Sequence, residues 1–221
     1  MRYPNAAKGL QTIVIAEIIA AAASILALIL SVLTLPNIEA AKAEYNEFGT
    51  VSIVSVVMLI IVVMYVVSFI LEIIGIVNAS KDEPSFKVSL YAIIAAIILT
   101  ILSGIFYQNE TVFLLLSIGG DVAQFFLVHY VIHGIMHLSN HLGRPEVSKN
   151  GKKIFTIIYI GIVFEVIVRV FDIIYGHKRG EEIAIPFVVI ANILKSAEYI
   201  LFLIYIVKGT KMLKESDAES E

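Results

Sequence analysis

Four histidines recur at every fourth position in the second half of the chain. The set is His129, His133, His137 and His141. On an α-helix this spacing forms a stripe along one face that drifts by about 40° per step, so one metal ion cannot bind all four side chains. Neighbouring histidines at this spacing can chelate one metal ion together, as in helical zinc motifs. With two carboxylates predicted at a comparable depth of the membrane, the candidate metal set is His129, His133, Glu72 and Glu17.

The same histidines also fit an arrangement without metal. In that alternative His137 and His141 line the cytoplasmic interface, while His129 and His133 form hydrogen bonds across helices. A haem with two histidine ligands is disfavoured, because its axial ligands must come from two facing helices. The only other histidine, His177, is predicted at the opposite face of the membrane. The cofactor is therefore left open between a divalent metal ion and none.

A second group of chemically capable residues lies inside apolar segments. Glu165 and Arg169 are four apart and share a helix face, and Asp172 follows three residues later. Lys195 and Glu198 are three apart and can pair in the same way. A charge in hydrocarbon costs several kcal/mol, so such side chains face a protein interior or a cavity. The candidate ligand-binding residues are Asp121, Glu165, Arg169, Asp172, Lys195 and Glu198.

Composition shows which elements must carry these residues. Of the 221 residues, 59% are hydrophobic and only 16% are charged, and the charges separate long apolar runs. About 20 helical residues cross the hydrocarbon core of a membrane. Uniformly apolar runs of this length favour helices over the alternating strands of a barrel. The predicted fold is all-α, a single polytopic domain with six transmembrane helices at roughly 10–35, 51–78, 88–107, 112–138, 154–176 and 184–207.

Lysine and arginine positions predict the orientation of these helices. Eleven of these residues lie on the side that holds both termini and the second and fourth loops, against three on the other side. Cytoplasmic loops carry the excess of positive charge. The prediction is therefore a multi-pass protein of the cell (cytoplasmic or inner) membrane with both termini in the cytoplasm.

A weak internal repeat suggests three tandem helical hairpins. The stretch from Gly75 to Ser80 closes the second segment, and the stretch from Gly134 to Ser139 closes the fourth. Each is followed by a polar connection with a proline and then by a lysine that opens the next segment. Helices 1–2, 3–4 and 5–6 would form the three hairpins.

Several classes of function are disfavoured by what the sequence lacks. There are no cysteines, so disulfides, thiolate metal sites and cysteine nucleophiles are excluded. No glycine-rich phosphate loop, serine-hydrolase elbow or zinc-protease motif is present, and an enzyme is not expected. The net charge of −3 is too small and too dispersed to indicate nucleic acid as a partner.

The first segment carries a patch of small residues, formed by Ala16, the run 20–23 and Ser24. Small residues allow close approach of another helix, in the same chain or in a partner membrane subunit. In size, helix number and this patch, the chain is similar in outline to the substrate-binding subunits of energy-coupling-factor vitamin transporters. That resemblance, which includes no specific motif, implies that the first helix docks against a transport module. A homo-oligomer stays open as well.

Three functions are consistent with these patterns. The leading hypothesis is a membrane protein that binds or passes a small solute or ion through a polar cavity, as a transporter or a transporter's substrate-binding subunit. The first alternative is a metal-binding or sensor protein that uses the histidine stripe. The second alternative is a structural or assembly subunit without a ligand, in which the intramembrane charges hold helices together.

Overall fold

The computed structural model describes residues 3–34, 48–175 and 177–218. Within these ranges only the backbone is described at 33–34, 48–53, 110, 169, 171–175, 177–188, 191–192 and 217–218.

The described residues form six helices and no strand, which confirms the all-helical prediction. The helices are α1 (Pro4–Thr34), α2 (Phe48–Ala79), α3 (Ser85–Ile105), α4 (Glu110–His141), α5 (Pro145–Tyr175) and α6 (His177–Ala218). Most of them extend beyond the predicted apolar segments, and α5 begins nine residues earlier, at Pro145 rather than at 154. Hydropathy marks only the apolar part of a helix, whereas backbone hydrogen bonding continues through polar turns. Proline at the first helical position suits the fixed φ angle of that residue.

Four stretches of the described chain are long and apolar enough to cross a membrane. They are Pro4–Val32, Val54–Ala79, Ser85–Ile105 and Thr111–His141. These stretches lie in α1 to α4, so the first four predicted segments are supported. The fifth and sixth crossings, and the side of the membrane on which the termini lie, stay predictions.

The chain divides into two compact units, residues 1–10 with 76–221 and residues 11–75. The first unit is called the α3–α6 unit, and it also contains the start of α1. In this unit α3 packs on α4 and α5 packs on α6, while α4 also contacts α5 and α6. The prediction of three tandem hairpins stays a prediction, because helices 4 and 5 are in contact as well. The largest fully buried side chains of this unit include Phe86, Ile132, Ile135, Leu138, Ile158, Tyr205 and Ile206.

The start of α1 is fixed to the connection between α2 and α3. Asn5 Nδ2 donates to Asp82 Oδ1 at 2.9 Å, and the Ala6 amide donates to Asp82 Oδ2 at 2.8 Å. The first amides of a helix have no partner inside the helix, and its amino end attracts negative charge. Asp82 satisfies both requirements and therefore anchors the first turn of α1 in the α3–α6 unit.

In the second unit, α1 contacts α2 through small polar groups. The Ser68 hydroxyl donates to the Ala16 carbonyl oxygen at 2.8 Å, and the Ser24 and Tyr65 hydroxyls lie 2.9 Å apart. Ala16 belongs to the predicted small-residue patch and is 1% exposed. At least part of that patch is therefore used inside the chain, where the small side chain of Ala16 lets Ser68 reach the backbone of α1.

Candidate functional site

Charged side chains from α4, α5 and α6 line one cavity of about 110 Å³, here called the charged cavity. Its described lining consists of Asp121, Gln124, Phe125, Val128, Ile162, Glu165, Lys195, Glu198, Tyr199 and Phe202. Four of the six predicted ligand-binding residues are among them: Asp121, Glu165, Lys195 and Glu198. The structure thus brings together residues that lie as far as 77 positions apart in the sequence.

An ion pair between α5 and α6 crosses this cavity. Lys195 Nζ lies 3.1 Å from Glu165 Oε1. The Glu165 side chain is 28% exposed, whereas 62% of the Lys195 side chain is exposed, so the ion pair is only partly buried. The predicted partners were within single helices, Arg169 for Glu165 and Glu198 for Lys195. The pair found here links two helices, which sequence spacing could not indicate.

Glu198 enters the cavity over a glycine of the neighbouring helix. A Cβ atom placed at Gly161 would lie 3.6 Å from Glu198 Oε2, which is ordinary van der Waals contact. Glu198 therefore packs against α5 at Gly161, which is itself buried, at a distance that a Cβ atom would also fit. Three carboxyl groups and one ammonium group are found in the described lining.

Two other predicted ligand-binding residues cannot be placed at this site. Arg169 and Asp172 are part of α5, but their side chains lie outside the described residues. The predicted pairing of Arg169 with Glu165, and with Asp172 as a second carboxylate, stays a prediction.

A second, larger cavity of about 320 Å³ lies between α4 and α5 and is here called the aromatic chamber. Its described lining is Ile118, Asp121, Val122, Phe125, Phe126, Tyr159, Ile162, Glu165 and Val166. Sequence reasoning missed this chamber, because its members resemble ordinary apolar side chains of a membrane helix. The available signal was spacing: Asp121 and Phe125 are four apart on α4, and Ile162 and Val166 are four apart on α5.

The histidine stripe contacts two different parts of the α3–α6 unit. The ring of His129 stacks on Phe155 with centroids 4.4 Å apart, and its Nδ1 lies 3.5 Å from the Tyr159 hydroxyl. At the other end, His141 Nδ1 lies 3.3 Å from the Tyr3 hydroxyl. Neighbouring rings stay close, with centroids 6.4 Å apart for His129 and His133 and 4.2 Å apart for His137 and His141.

The middle of the stripe contacts Glu83 and Ser85, around the start of α3. His137 Nδ1 lies 2.6 Å from Glu83 Oε2, and the Ser85 hydroxyl donates to Glu83 Oε1 at 2.8 Å. His133 Nδ1 lies 3.1 Å from the same hydroxyl. Because Ser85 has a single hydroxyl proton and donates it to Glu83, His133 Nδ1 must carry the proton of that hydrogen bond. A metal ion at His133 or His137 would therefore have to bind at Nε2.

Metal binding by the stripe stays a prediction. Among the described side chains, no group of three or more His, Asp or Glu residues is arranged to hold a metal ion. The other two members of the candidate metal set, Glu17 and Glu72, belong to the unit of residues 11–75. The hydrogen bond from His133 to Ser85 of α3 is of the cross-helix kind that the alternative without metal requires.

Glu83 lies in the connection between α2 and α3, outside the membrane-capable stretches. Burial raises the pKa of its carboxyl group, but hydrogen bonds from Ser85 and His137 outweigh burial, and the pKa lies below its ordinary value. A carboxyl group with a depressed pKa in the folded state stabilises the fold above its unfolded pKa. That contribution is lost as the pH falls through the folded value.

We expect Glu83→Gln to lower the free energy of unfolding by about 1.5–3 kcal/mol at neutral pH, the range for hydrogen bonds to a charged group. The gap between the two proteins should begin to close below about pH 4, where the unfolded carboxyl group takes up its proton, and should vanish as the pH falls through the folded pKa. Titration with SDS in mixed micelles at several pH values measures this gap. Glu146→Gln, an exposed carboxylate in the first turn of α5, is the control. A gap that persists unchanged in acid would contradict the assignment.

Comparisons with protein-family models, with curated proteins and with solved structures find no match for this chain. The class of protein is therefore defined by the fold and the hydropathy. The described chain is helical, and four of its stretches can cross a membrane. On α3, large apolar side chains are exposed, among them Tyr91, Ile98, Ile101 and Ile105. An apolar surface of this kind suits lipid rather than water. These features indicate a multi-pass membrane protein in a lipid bilayer.

Proposed function

We propose that this protein binds or passes a small solute or ion at the charged cavity, without catalysing a reaction. The observation that carries the proposal is the lining of that cavity. Side chains of α4, α5 and α6 that hydrocarbon would not accommodate are collected around one space. A purely structural role requires only that each charge has a partner, whereas here the charges surround a volume that can hold an ion or a few water molecules.

The membrane arrangement forms part of the proposal. If all six helices cross the membrane, the charged cavity lies within the bilayer and the connection with Glu83 lies at its cytoplasmic side. A solute or ion would then bind in the low-dielectric interior of the membrane, where its electrostatic interaction with the charged side chains is strongest. The cell membrane, with both termini in the cytoplasm, is the proposed location. The excess of lysine and arginine on one side supports this orientation.

The test uses the full chain reconstituted in lipid vesicles. Uptake of protons, Na⁺ and small organic amines is measured for the natural protein and for Asp121→Asn, Glu165→Gln and Lys195→Met. We expect at least one of these species to be taken up, and its rate to fall about tenfold or more in the carboxylate variants, as when an intramembrane charge takes part in transport. Glu146→Gln, away from the cavity, should retain the rate. If all three cavity variants leave uptake unchanged, the proposal is wrong.

A metal-binding or sensor function is the second candidate. It is favoured by the contact of His137 Nδ1 with the Glu83 carboxylate, because metal-ligating histidines commonly donate their other ring N–H to a carboxylate. Elemental analysis of protein purified without a histidine tag or chelator tests it. A metal content near one per chain, lost in His133→Ala, would support this function. A content far below one would reject it.

A further inference from the structure

The two cavities of the α3–α6 unit are neighbours that share part of their lining. Asp121, Phe125, Ile162 and Glu165 line both the charged cavity and the aromatic chamber. The boundary between the two cavities therefore carries two carboxyl groups, those of Asp121 and Glu165. On one side of that boundary lies the ion pair with Lys195, and on the other side lie apolar and aromatic side chains only.

The aromatic side chains of the chamber form a connected group. The Phe125 ring lies 5.5 Å from the Tyr159 ring and 5.3 Å from the Phe126 ring, measured between centroids. Aromatic faces attract cations within about 6 Å of their centroids, and binding of quaternary ammonium groups is a frequent use of this attraction. Carboxyl groups at the boundary add attraction for the same kind of charge.

From this arrangement we propose that the site binds a small organic cation with an apolar or aromatic body. The cationic group lies at the shared boundary, beside Asp121 and Glu165, and the body fills the chamber between α4 and α5. This inference rests on the proposed function and names its class of solute. The chamber of about 320 Å³ is at the lower end of the roughly 300–1,000 Å³ that ligand pockets span, so it fits a small molecule.

The lining charges favour a cation over an anion. Three carboxyl groups and one ammonium group are found in the described lining of the charged cavity, and Lys195 is already paired with Glu165. Entry of a solute removes water from the lining carboxyl groups, and a cationic group offsets part of that cost in free energy, whereas an uncharged body does not. An inorganic cation would bind at the carboxyl groups of the boundary and leave the aromatic chamber unfilled. The proposed solute binds the carboxyl groups through its charge and fills the chamber with its body.

The probe is benzyltrimethylammonium, whose phenyl ring and quaternary ammonium group match the two parts. Its binding to the full chain in detergent is measured by equilibrium dialysis, beside two relatives of the probe. Neopentylbenzene has the same shape without the charge, and tetramethylammonium has the charge without the ring. We expect the probe to bind at least about tenfold more tightly than either relative, a difference of about 1.4 kcal/mol.

A matched pair of variants tests the place of binding. Val166 lines the chamber, whereas Val163, on the same helix and 56% exposed, lines neither cavity. Val166→Trp should fill the chamber and weaken probe binding about tenfold or more, while Val163→Trp should leave it unchanged. Asp121→Asn should weaken binding of the probe and not of neopentylbenzene, because only the charged molecule needs the carboxylate.

The outcomes separate this inference from the function on which it rests. If proton or Na⁺ uptake depends on Asp121 and Glu165 but the probe does not bind, the proposed function stands and the organic cation is wrong. Equal binding of the probe and neopentylbenzene would also overturn the inference, since the site would then recognise shape and not charge. Probe binding that both tryptophan variants leave intact would place the solute elsewhere and overturn it as well.

Discussion

Replacing Lys195 with methionine is expected to lower the free energy of unfolding by about 2 kcal/mol. Breaking a fully buried ion pair by removing one partner costs about 3–5 kcal/mol, because the other charge stays buried without compensation. The cost here should be smaller, since 62% of the Lys195 side chain is exposed and Glu165 keeps access to the cavity. Titration of the purified protein with SDS in mixed micelles measures the change.

The double variant Glu165→Gln/Lys195→Met gives this prediction its control. When both charges are removed, no uncompensated charge is left, and most of the lost stability should return. Lys211→Met, which removes an exposed lysine paired with Glu215 at 3.6 Å on α6, should cost less than about 0.5 kcal/mol. If the single and double cavity variants are equally unstable, the ion pair at 3.1 Å is not what the lysine contributes.

The same double variant separates two of the functions considered. If the charges only hold helices together, the double variant should recover stability and also retain every activity of the protein. If the charged cavity binds a solute, stability should return while uptake or binding stays lost, because Glu165 lines both cavities. Measuring both properties on one variant therefore distinguishes a structural subunit from a solute-binding protein.

The sequence was sufficient to predict the helices but not their ends. Long apolar runs require helices in a bilayer, and each predicted segment falls mainly within one observed helix. The ends of α5 and α6 were misjudged because polar turns around Pro145 and Lys214 continue the backbone hydrogen bonding outside the apolar part. Hydropathy carries no information about such turns, whereas helix propensity carries some.

Four of the charged residues that the sequence analysis selected, Asp121, Glu165, Lys195 and Glu198, line one cavity, but their pairing was not predicted. They were selected because a charge in hydrocarbon is costly, and their role as ligand-binding residues stays a prediction. Which charge meets which depends on how each helix is rotated about its axis, and i,i+3 or i,i+4 spacing describes only partners on one helix. The contact of Lys195 with Glu165 across helices could therefore not be derived from the sequence.

Gly134, which opens one of the two repeated stretches, is expected to tolerate no side chain. A Cβ atom at this position of α4 would lie 2.7 Å from Phe86 Cε2 and 2.8 Å from Phe86 Cζ. The Phe86 ring is rigid and 0% exposed, so it cannot move aside without displacing other core residues of the α3–α4 contact. We expect Gly134→Ala to lower the free energy of unfolding by about 1–3 kcal/mol, the usual cost of overpacking a core.

Gly120→Ala is the matched control, since it makes the same change in the same helix. A Cβ atom at Gly120 has nothing within 4 Å, so this variant should gain up to about 1 kcal/mol from the higher helix propensity of alanine. The two variants should thus shift the SDS midpoint in opposite directions. In Phe86→Leu/Gly134→Ala the smaller side chain should relieve the clash, so the alanine should cost less than in the natural background. Equal costs in both backgrounds would show that Phe86 does not set the space available at Gly134.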